Sequence, residues 1–519
     1  MFSRSLFHKF LFLGILLFFC HTYYHDMLFM FPYGIHTGAQ ADRLAVAISF
    51  FDNGMNFLKP ATFSQYSKGG IIGVEFPIQA YVAAIMGKIF GRDQISFFFR
   101  LEDTLIACAG LFFLFLACYR RTKSFFISIL CPLFIFCSPV YIGYTCNYLP
   151  DAAGASLAMA AFYFVLDFID HERTETFAIA IFLLTLAALI KTSVAIYLIG
   201  FIGFTCIERL VYWNKYNYKQ TLALAGVSIF SVGALVFSYL YIKYLNTTYE
   251  AWLFLSRASP FSGLEDFLYY INVSFKHLWL NEYLVLPQYL VLAAVVFSAI
   301  PSLLKKRAGV RQLLLGLYYC IGAMCVFLLM GNPMQGHDYY FVSIFIPFIA
   351  FIMLISSIEL GSFQYSKEGA RAINIAITAG ATVMFFFGDF YHHQRQRPDY
   401  PGFSAYYRTY WMTNASEFMD KMKIPFKEKI VVLNEPEPNL SLLYFDRKGY
   451  VVEPGRLGKD IGFVQQLMKE KSLKYLVVEE KQRKELMSGS PGMFDNFELM
   501  AVQDQIALLK FKNASGPKG

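Results

Sequence analysis

Apolar blocks of about 20 residues recur along this chain, and they constrain its fold more than any other feature. A helix of that length crosses the hydrocarbon core of a bilayer. Only 16% of the 519 residues are charged, whereas soluble domains carry about 25%. We therefore expect an α-helical polytopic membrane protein. The pattern predicts eleven spans, at about 10–29, 96–118, 124–144, 152–169, 175–191, 193–211, 220–243, 285–304, 312–331, 340–360 and 372–390.

The first apolar block follows a basic start and has two possible interpretations. A positively charged end before an apolar run is typical of a signal peptide, but also of a first span. No small-residue cleavage site follows the run, which is followed instead by His21, Tyr23, Tyr24 and His25. We interpret the block as an uncleaved span. A shorter apolar piece, Phe76 to Phe90, is better suited to a helix that lies at the membrane interface.

The basic residues between the spans predict the orientation of the chain. With the N-terminus in the cytoplasm, the short loops at 120–123, 171–173, 209–219, 305–311 and 367–371 all lie inside and carry the Lys and Arg clusters. This is the distribution that the positive-inside rule requires. It accounts for the net charge of +8 without a nucleic-acid partner. We predict a multi-pass protein of the inner (plasma) membrane, whose C-terminal part is extracytoplasmic.

The composition changes after the last predicted span. Residues 391–519 are more charged and contain two short apolar runs, at 430–433 and 475–478, with a helical pattern over 460–471 between them. We predict a transmembrane domain over 1–390 and a small α/β domain over 391–519. The segment from Glu435 to Pro438 follows the first run and is either a plain turn, the more common case, or a binding loop.

Ionisable residues at the outer ends of the spans are candidates for function, because charge beside a membrane is costly. Asp42, Glu75, Asp151, Lys191 and His337 all lie at this level in the predicted topology. Each also has a structural interpretation. Asp42 could be a solvated loop charge, Asp151 a helix N-cap, Lys191 a side chain that extends to the interface, and His337 a loop histidine. The agreement of several separate segments favours a site.

The order of features resembles family 39 of the GT-C glycosyltransferase superfamily, which includes protein O-mannosyltransferases and bacterial aminoarabinose transferases. A first span precedes a long outer loop with an early acid, and a second span opens at Arg100-Leu101. The resemblance covers about residues 10–390. The motifs that carry it are Asp42, Gly54, Pro60, Gly69-Gly70, Glu75-Phe76-Pro77-Ile78, Phe90-Gly91, His337-Asp338-Tyr339-Tyr340 and Pro347.

The resemblance implies transfer of a sugar from a polyprenyl-phosphate donor, as co-substrate, to a lipid or protein acceptor, with inversion. Asp42 would accept the proton of the acceptor hydroxyl. Asp151 would hold the sugar or a cation, and cations would stabilise the phosphate that leaves. A divalent metal is left open, and no metal ligands are assigned. The further candidates for substrate binding are Arg43, Glu75, Lys191, His337, Tyr339 and Tyr340.

Two other classes of protein remain as alternatives. A glycan or lipid transporter would place its charges near the membrane midplane, in repeated halves, and here the acids lie at span ends without a visible repeat. A cell-surface glycan polymerase or ligase would share the outer-face site and would carry a large late outer loop. The loop at about 246–284 is moderately long, which keeps this alternative open.

Overall fold

The computed structural model describes residues 4–254, 258–331, 333–397, 409–453 and 461–512. The chain folds into two compact units, each discontinuous in sequence. The first unit contains Met1–Met30, Phe97–Tyr241 and Ser256–Arg395. The second contains Phe31–Ser96, Ile242–Leu255 and Gln396–Gly519. The long outer loop that was predicted from the sequence thus belongs to the same unit as the C-terminal segment. The linear division at residue 390 stays a prediction about how the chain folds.

Apolar helices dominate the chain, as the sequence predicted. Within the described ranges, eight helices are long and apolar enough to cross a membrane. They are Arg4–Tyr24, Arg92–Thr122, Pro150–His171, Thr192–Val211, Tyr218–Thr248, Leu286–Leu303, Gly309–Leu329 and Lys367–Arg395. The chain is therefore a multi-pass membrane protein, and the predicted helical membrane fold is confirmed.

The three remaining predicted spans are shorter or broken helices. The block at 124–144 forms Phe125–Phe136 and Pro139–Thr145, which meet at a bend of 77°. Thr174–Ile190 and Ile346–Leu360 have 17 and 15 residues, fewer than a full crossing commonly uses. Pro139 explains the break, since a proline at the first turn begins a new helix. The count of eleven crossings stays a prediction.

The helix Pro150–His171 has charged residues near both of its ends. Its 22 residues rise about 33 Å. At its C-terminal end, Asp167 pairs with Arg120 at 2.6 Å and Asp170 pairs with Arg121 at 2.5 Å. These arginines belong to the basic cluster predicted to face the cytoplasm. Asp151 lies in the first turn, at the opposite end.

Short helices complete the first unit between its long ones. They are Leu264–Ser274, the π-helix Phe275–Tyr283, Pro333–Gly336 and Tyr339–Ile344. A 3-10 turn, Thr192–Val194, follows Lys191 and separates Thr174–Ile190 from Ala195–Val211. This break lies between the two spans predicted at about 175–191 and 193–211. Lys191 itself has an extended backbone conformation, with φ −140° and ψ 108°.

In the second unit, the first outer loop forms two helices, Thr37–Asp52 and Ile78–Phe90. Leu44, Ala45 and Ile48 recur at helical spacing and are buried, which explains why this stretch folds as a helix. Ile78–Phe90 has 13 residues, in keeping with the prediction that this apolar piece is too short to span. Both helices lie in the same unit as the C-terminal segment.

The C-terminal segment forms a mixed five-stranded sheet. Its strands are β1 (Ile430–Leu433), β2 (Gly449–Val452), β3 (Tyr475–Glu479), β4 (Phe497–Gln503) and β5 (Ile506–Phe511), in the order β2-β1-β3-β5-β4. β1 pairs in parallel with β2 and β3, and β5 pairs antiparallel with β3 and β4. The helices around it are Ala415–Lys421, Leu440–Tyr444, Gly462–Glu470 and Glu480–Gly489. The predicted α/β character is confirmed.

The burial of β1 within the sheet explains why its sequence is an unbroken run of apolar residues. All four of its residues are buried, as expected for a central parallel strand covered on both faces. Val431, Leu433, Leu476 and Val478 pack in one core with residues of the helix Gly462–Glu470. The loop from Glu435 to Asn439 leaves the carboxyl end of β1, which is the edge of a parallel sheet where ligand-binding loops usually lie.

Candidate active site

Asp42 lies in the second turn of the helix Thr37–Asp52 and is held by the C-terminal segment of its own unit. The Asn439 side-chain amide donates to Oδ1 of Asp42 at 2.7 Å. The carbonyl oxygen of the same amide accepts from the backbone N–H of Ser64 at 2.8 Å. Asn439 is fully buried, so its two bonds fix its orientation. The alternative of a solvated loop charge does not fit Asp42, which is partly buried and bonded.

The surroundings of Asp42 favour its neutral form. Burial raises the pKa of the Asp42 carboxyl to about 7, and the nearby carboxylate of Glu437 adds to the rise. The hydrogen bond from Asn439 and the positive charge of Arg43 act in the opposite direction. A carboxylate with a pKa near neutral pH is suited to accept a proton, because it is available as base and yet basic enough to bind one.

Arg43 and Glu75, both predicted to contact substrate, pair with each other. Nη2 of Arg43 lies 2.9 Å from Oε2 of Glu75, and both side chains are mostly buried. The Arg43 guanidinium also lies over the ring of Phe254, 4.8 Å from its centroid. Glu75 precedes the helix Ile78–Phe90, so the pair ties this helix to Thr37–Asp52. Their role in substrate binding stays a prediction.

The first unit contains a second cluster, built on Asp151. Lys191 Nζ lies 3.2 Å from Oδ2 of Asp151, and Ser343 Oγ donates to Oδ1 at 2.9 Å. Asp151 is completely buried and Lys191 is 7% exposed. The helix cap is Leu149, so the alternative that Asp151 is a plain N-cap is wrong. A side chain as buried as Lys191 also does not extend into the interface.

Aromatic side chains of the His337–Tyr340 segment surround the Lys191 ammonium. It lies 5.4 Å from the ring centroid of Tyr339 and 5.0 Å from that of Tyr340, both within cation–π range. Gly154 allows this approach, since a Cβ there would lie 3.0 Å from Cβ of Lys191. His337 is exposed, with its ring 5.2 Å from that of Tyr339. Three of the predicted residues, Lys191, Tyr339 and Tyr340, therefore group beside Asp151, and His337 lies at the exposed edge of this group.

A buried ionic network adjoins this segment, and the sequence did not predict it. The Arg395 guanidinium lies 2.5 Å from the carboxylates of both Asp338 and Glu282. The hydroxyl of Tyr144 donates to Asp338. Arg395 is 3% exposed. The fold buries Arg395 at the end of the last long helix, and the two carboxylates compensate its charge. The sequence pattern of a basic residue at the end of a span is the same whether the fold buries that residue or leaves it facing lipid headgroups.

Arg100, from the predicted motif at the start of the second span, bonds to two other segments of the first unit. Its guanidinium donates to the carbonyls of Met30 and Cys146, at 3.0 and 2.6 Å, and to the hydroxyl of Tyr148 at 3.0 Å. Tyr148 also lies under the guanidinium, 4.3 Å away. Arg100 is 1% exposed. It joins three separate segments, and its role is to hold them in place.

Metal ligands do not group in either cluster. Across the part of the chain that the structure describes, no three His, Cys, Asp or Glu side chains are arranged to hold a metal ion. Asp42, Arg43 and Glu75 belong to one compact unit, and Asp151, Lys191, His337, Tyr339 and Tyr340 belong to the other. That the two clusters form a single site stays a prediction.

Comparison with known proteins gives one family and one fold. Residues 75–235 match the family described as dolichyl-phosphate-mannose-protein mannosyltransferase. This stretch includes Glu75, Arg100, Asp151 and Lys191. No curated protein sequence matches the chain significantly.

Solved structures with the same fold include two of ArnT from Cupriavidus metallidurans. The apo structure covers 99% of this chain and 100% of its own, with a TM-score of 0.56 and 11% sequence identity. The structure bound to undecaprenyl phosphate covers 98% and 99%, with a TM-score of 0.52 and 11% identity. The chain thus has the fold of ArnT and, over residues 75–235, the sequence pattern of the dolichyl-phosphate-mannose-protein mannosyltransferase family, which confirms the resemblance predicted from the sequence.

Proposed function

We propose that this protein transfers a sugar from a polyprenyl-phosphate carrier to a hydroxyl group of a lipid or protein acceptor, on the extracytoplasmic face and with inversion at the anomeric carbon. The observation that supports this most is the likeness over nearly the whole chain to ArnT bound to undecaprenyl phosphate. The match to a family of mannosyltransferases that use a dolichyl-phosphate carrier is in keeping with the same type of donor.

Asp42 is the proposed general base. An acceptor hydroxyl is a poor nucleophile, so its attack on the anomeric carbon is assisted when a positioned carboxylate takes its proton. Asp42 is partly buried, its orientation is set by Asn439, and its pKa is about 7. The oxygen–carbon bond to the acceptor forms as the bond to the phosphate oxygen breaks. Attack from the opposite side inverts the configuration.

Lys191 is proposed to stabilise the departing lipid phosphate. Its ammonium lies between the carboxylate of Asp151 and the rings of Tyr339 and Tyr340. A cation preorganised in a buried site stabilises developing negative charge more strongly than it would in water. Asp151 orients the Lys191 ammonium before the donor binds. The tyrosines supply flat apolar faces and hydroxyls suitable for a sugar ring.

The extracytoplasmic location rests on the basic clusters. Asp151 and Lys191 lie at the end of Pro150–His171 that is opposite to Arg120 and Arg121. Short loops rich in Lys and Arg remain in the cytoplasm. Both points support an outer-face location for the proposed phosphate site, where a lipid carrier and an acceptor arriving from water could both reach it.

The test is a transfer assay with purified protein, a polyprenyl-phosphate sugar labelled in the sugar, and a membrane extract as the source of acceptors. We expect label to move to the extract with wild-type protein and with Asp93→Asn, a control that removes an exposed carboxylate of the same loop. Asp42→Asn should lower the rate by about 100-fold or more. Transfer by Asp42→Asn at the wild-type rate would remove Asp42 as base. Absence of transfer by every variant would favour the transporter alternative.

A further inference from the structure

The loop from Glu435 to Asn439, which follows β1, lies against the helix that carries Asp42. Asn439 and Asp42 are bonded across 397 positions of sequence and belong to the same compact unit. The loop is anchored at its start, where the backbone N–H of Glu435 donates to the carbonyl of Val452 at 3.1 Å. The N–H of Glu437 donates to the Glu435 carboxylate at 2.9 Å. The loop is therefore shaped by its own bonds.

We propose that this loop is part of the active site: the Asn439 amide is a positioning residue for the Asp42 carboxylate, and the Glu437 carboxylate opposes the ionisation of Asp42. The inference rests on the proposed function of Asp42 as base. It gives the C-terminal sheet a role in the reaction, because β1 determines where the loop begins. A plain turn, the common interpretation of such a segment, would not need these contacts.

The chemistry of an amide explains why Asn439 suits this position. Its carbonyl oxygen is occupied by the Ser64 N–H, so its NH₂ group must face Asp42. A hydrogen bond to Oδ1 fixes the plane of the carboxylate. It also stabilises the charged form, in which the carboxylate is ready to accept a proton. The backbone of the first loop thus orients a side chain of the C-terminal segment, which in turn orients the base.

Glu437 acts on Asp42 through charge. Its carboxylate lies against the backbone of Gly38, one helical turn before Asp42, where a Cβ on Gly38 would come within 2.0 Å of Oε2 of Glu437. A like charge nearby disfavours ionisation. The charged groups that act on the Asp42 carboxylate are Glu437, which disfavours its ionisation, and Arg43 on its own helix, which favours it. The absence of a side chain at Gly38 allows Glu437 to approach.

The test measures protonation of Asp42 directly, without relying on transfer. A carbodiimide reacts with protonated carboxyl groups, so its rate of modification of Asp42, followed by mass spectrometry across pH, reports the midpoint of ionisation. We expect a midpoint of about 7 in the wild-type protein. Asn439→Asp keeps an oxygen that accepts from Ser64 but cannot donate to ionised Asp42, and its charge is negative. It should move the midpoint upward by about 1 unit or more.

Two variants that weaken the effect of Glu437 on Asp42 should move the midpoint in the opposite direction. Glu437→Gln removes the charge, and Gly38→Ala displaces the carboxylate by steric contact; both should lower the midpoint. Asn496→Asp is the control, since Asn496 bonds to Gln465 on the exposed side of the same sheet domain. It should leave the midpoint unchanged. These opposite shifts separate an electrostatic role from a loss of folding, which would move all variants in one direction.

Transfer kinetics supply the second measurement. Asn439→Asp should lower kcat at pH 7 by about 10- to 100-fold with little change in KM, as expected when a charge-assisted hydrogen bond to the base is lost. A midpoint for Asn439→Asp and Glu437→Gln equal to that of wild type would overturn the inference, whatever the transfer result. Shifted midpoints without transfer by the wild-type protein would overturn the proposed function and leave the electrostatic coupling established.

Discussion

Removal of Lys191 should leave the Asp151 carboxylate buried without its counter-charge. The two groups are 3.2 Å apart, Asp151 is completely buried and Lys191 is 7% exposed. At an effective dielectric constant of about 20, their attraction is about 5 kcal/mol. Breaking a buried pair by removing one partner costs about 3–5 kcal/mol. We expect Lys191→Met to lower the free energy of unfolding by about 3–5 kcal/mol, with a corresponding fall in Tm.

A double-mutant cycle isolates the charge effect from the loss of packing. Asp151→Asn combined with Lys191→Met removes both charges, and it should be more stable than Lys191→Met alone. The exposed pair of Lys68 and Glu250, whose side chains are 61% and 68% exposed, provides the control. Lys68→Met should cost less than about 1 kcal/mol.

The measurement is denaturant unfolding in detergent micelles, followed by circular dichroism. Two results would refute the burial of the Lys191–Asp151 pair. One is that Lys191→Met lowers the free energy of unfolding no more than Lys68→Met does. The other is that the double variant loses more free energy of unfolding than the two single variants lose together. The transfer rate of Lys191→Met should also fall, because the cation proposed to stabilise the lipid phosphate is removed. Stability and rate are therefore measured on the same preparations.

Three further predictions concern the other charged residues. Arg395→Met should lower the free energy of unfolding by about 3–5 kcal/mol, since Asp338 and Glu282 lose their counter-charge. Denaturant unfolding measures this loss, and a loss below about 1 kcal/mol would contradict the buried network. Arg100→Lys should cost about 1.5–3 kcal/mol in the same assay, because one ammonium cannot reproduce the bonds of the guanidinium to two carbonyls and a hydroxyl. The pKa of Asp42 is about 7, and only the ionised carboxylate accepts a proton. The transfer rate should therefore rise about tenfold per pH unit below that pKa and level off above it. A rate independent of pH between about 5 and 8 would contradict this prediction.

Local patterns predicted most of the fold. The apolar blocks determined where helices cross the membrane, because chain length and hydropathy suffice to identify such a helix. The four apolar residues of β1 predicted a buried strand, and Lys191-Thr192 predicted the break between two helices. The shorter helices were harder to interpret, since Ile346–Leu360 is apolar yet has only 15 residues.

The contacts of the site could be predicted only in part. Asp42, Asp151 and Lys191 were identified because ionisable groups near a membrane are costly, a signal that each residue carries by itself. The bond from Asn439 to Asp42 joins positions 397 residues apart, and no local pattern marks Asn439. The residues next to Arg395 in the sequence do not distinguish it from an arginine that faces lipid headgroups. Only the fold brings Asp338 and Glu282 to it.

A structure of the protein with a non-cleavable polyprenyl-phosphonate sugar would test the central claim most directly, which is that Lys191 binds the phosphate of a lipid-linked sugar donor. We predict that the phosphonate oxygens bind the Lys191 ammonium beside the rings of Tyr339 and Tyr340. A donor headgroup bound away from Lys191 would contradict the account.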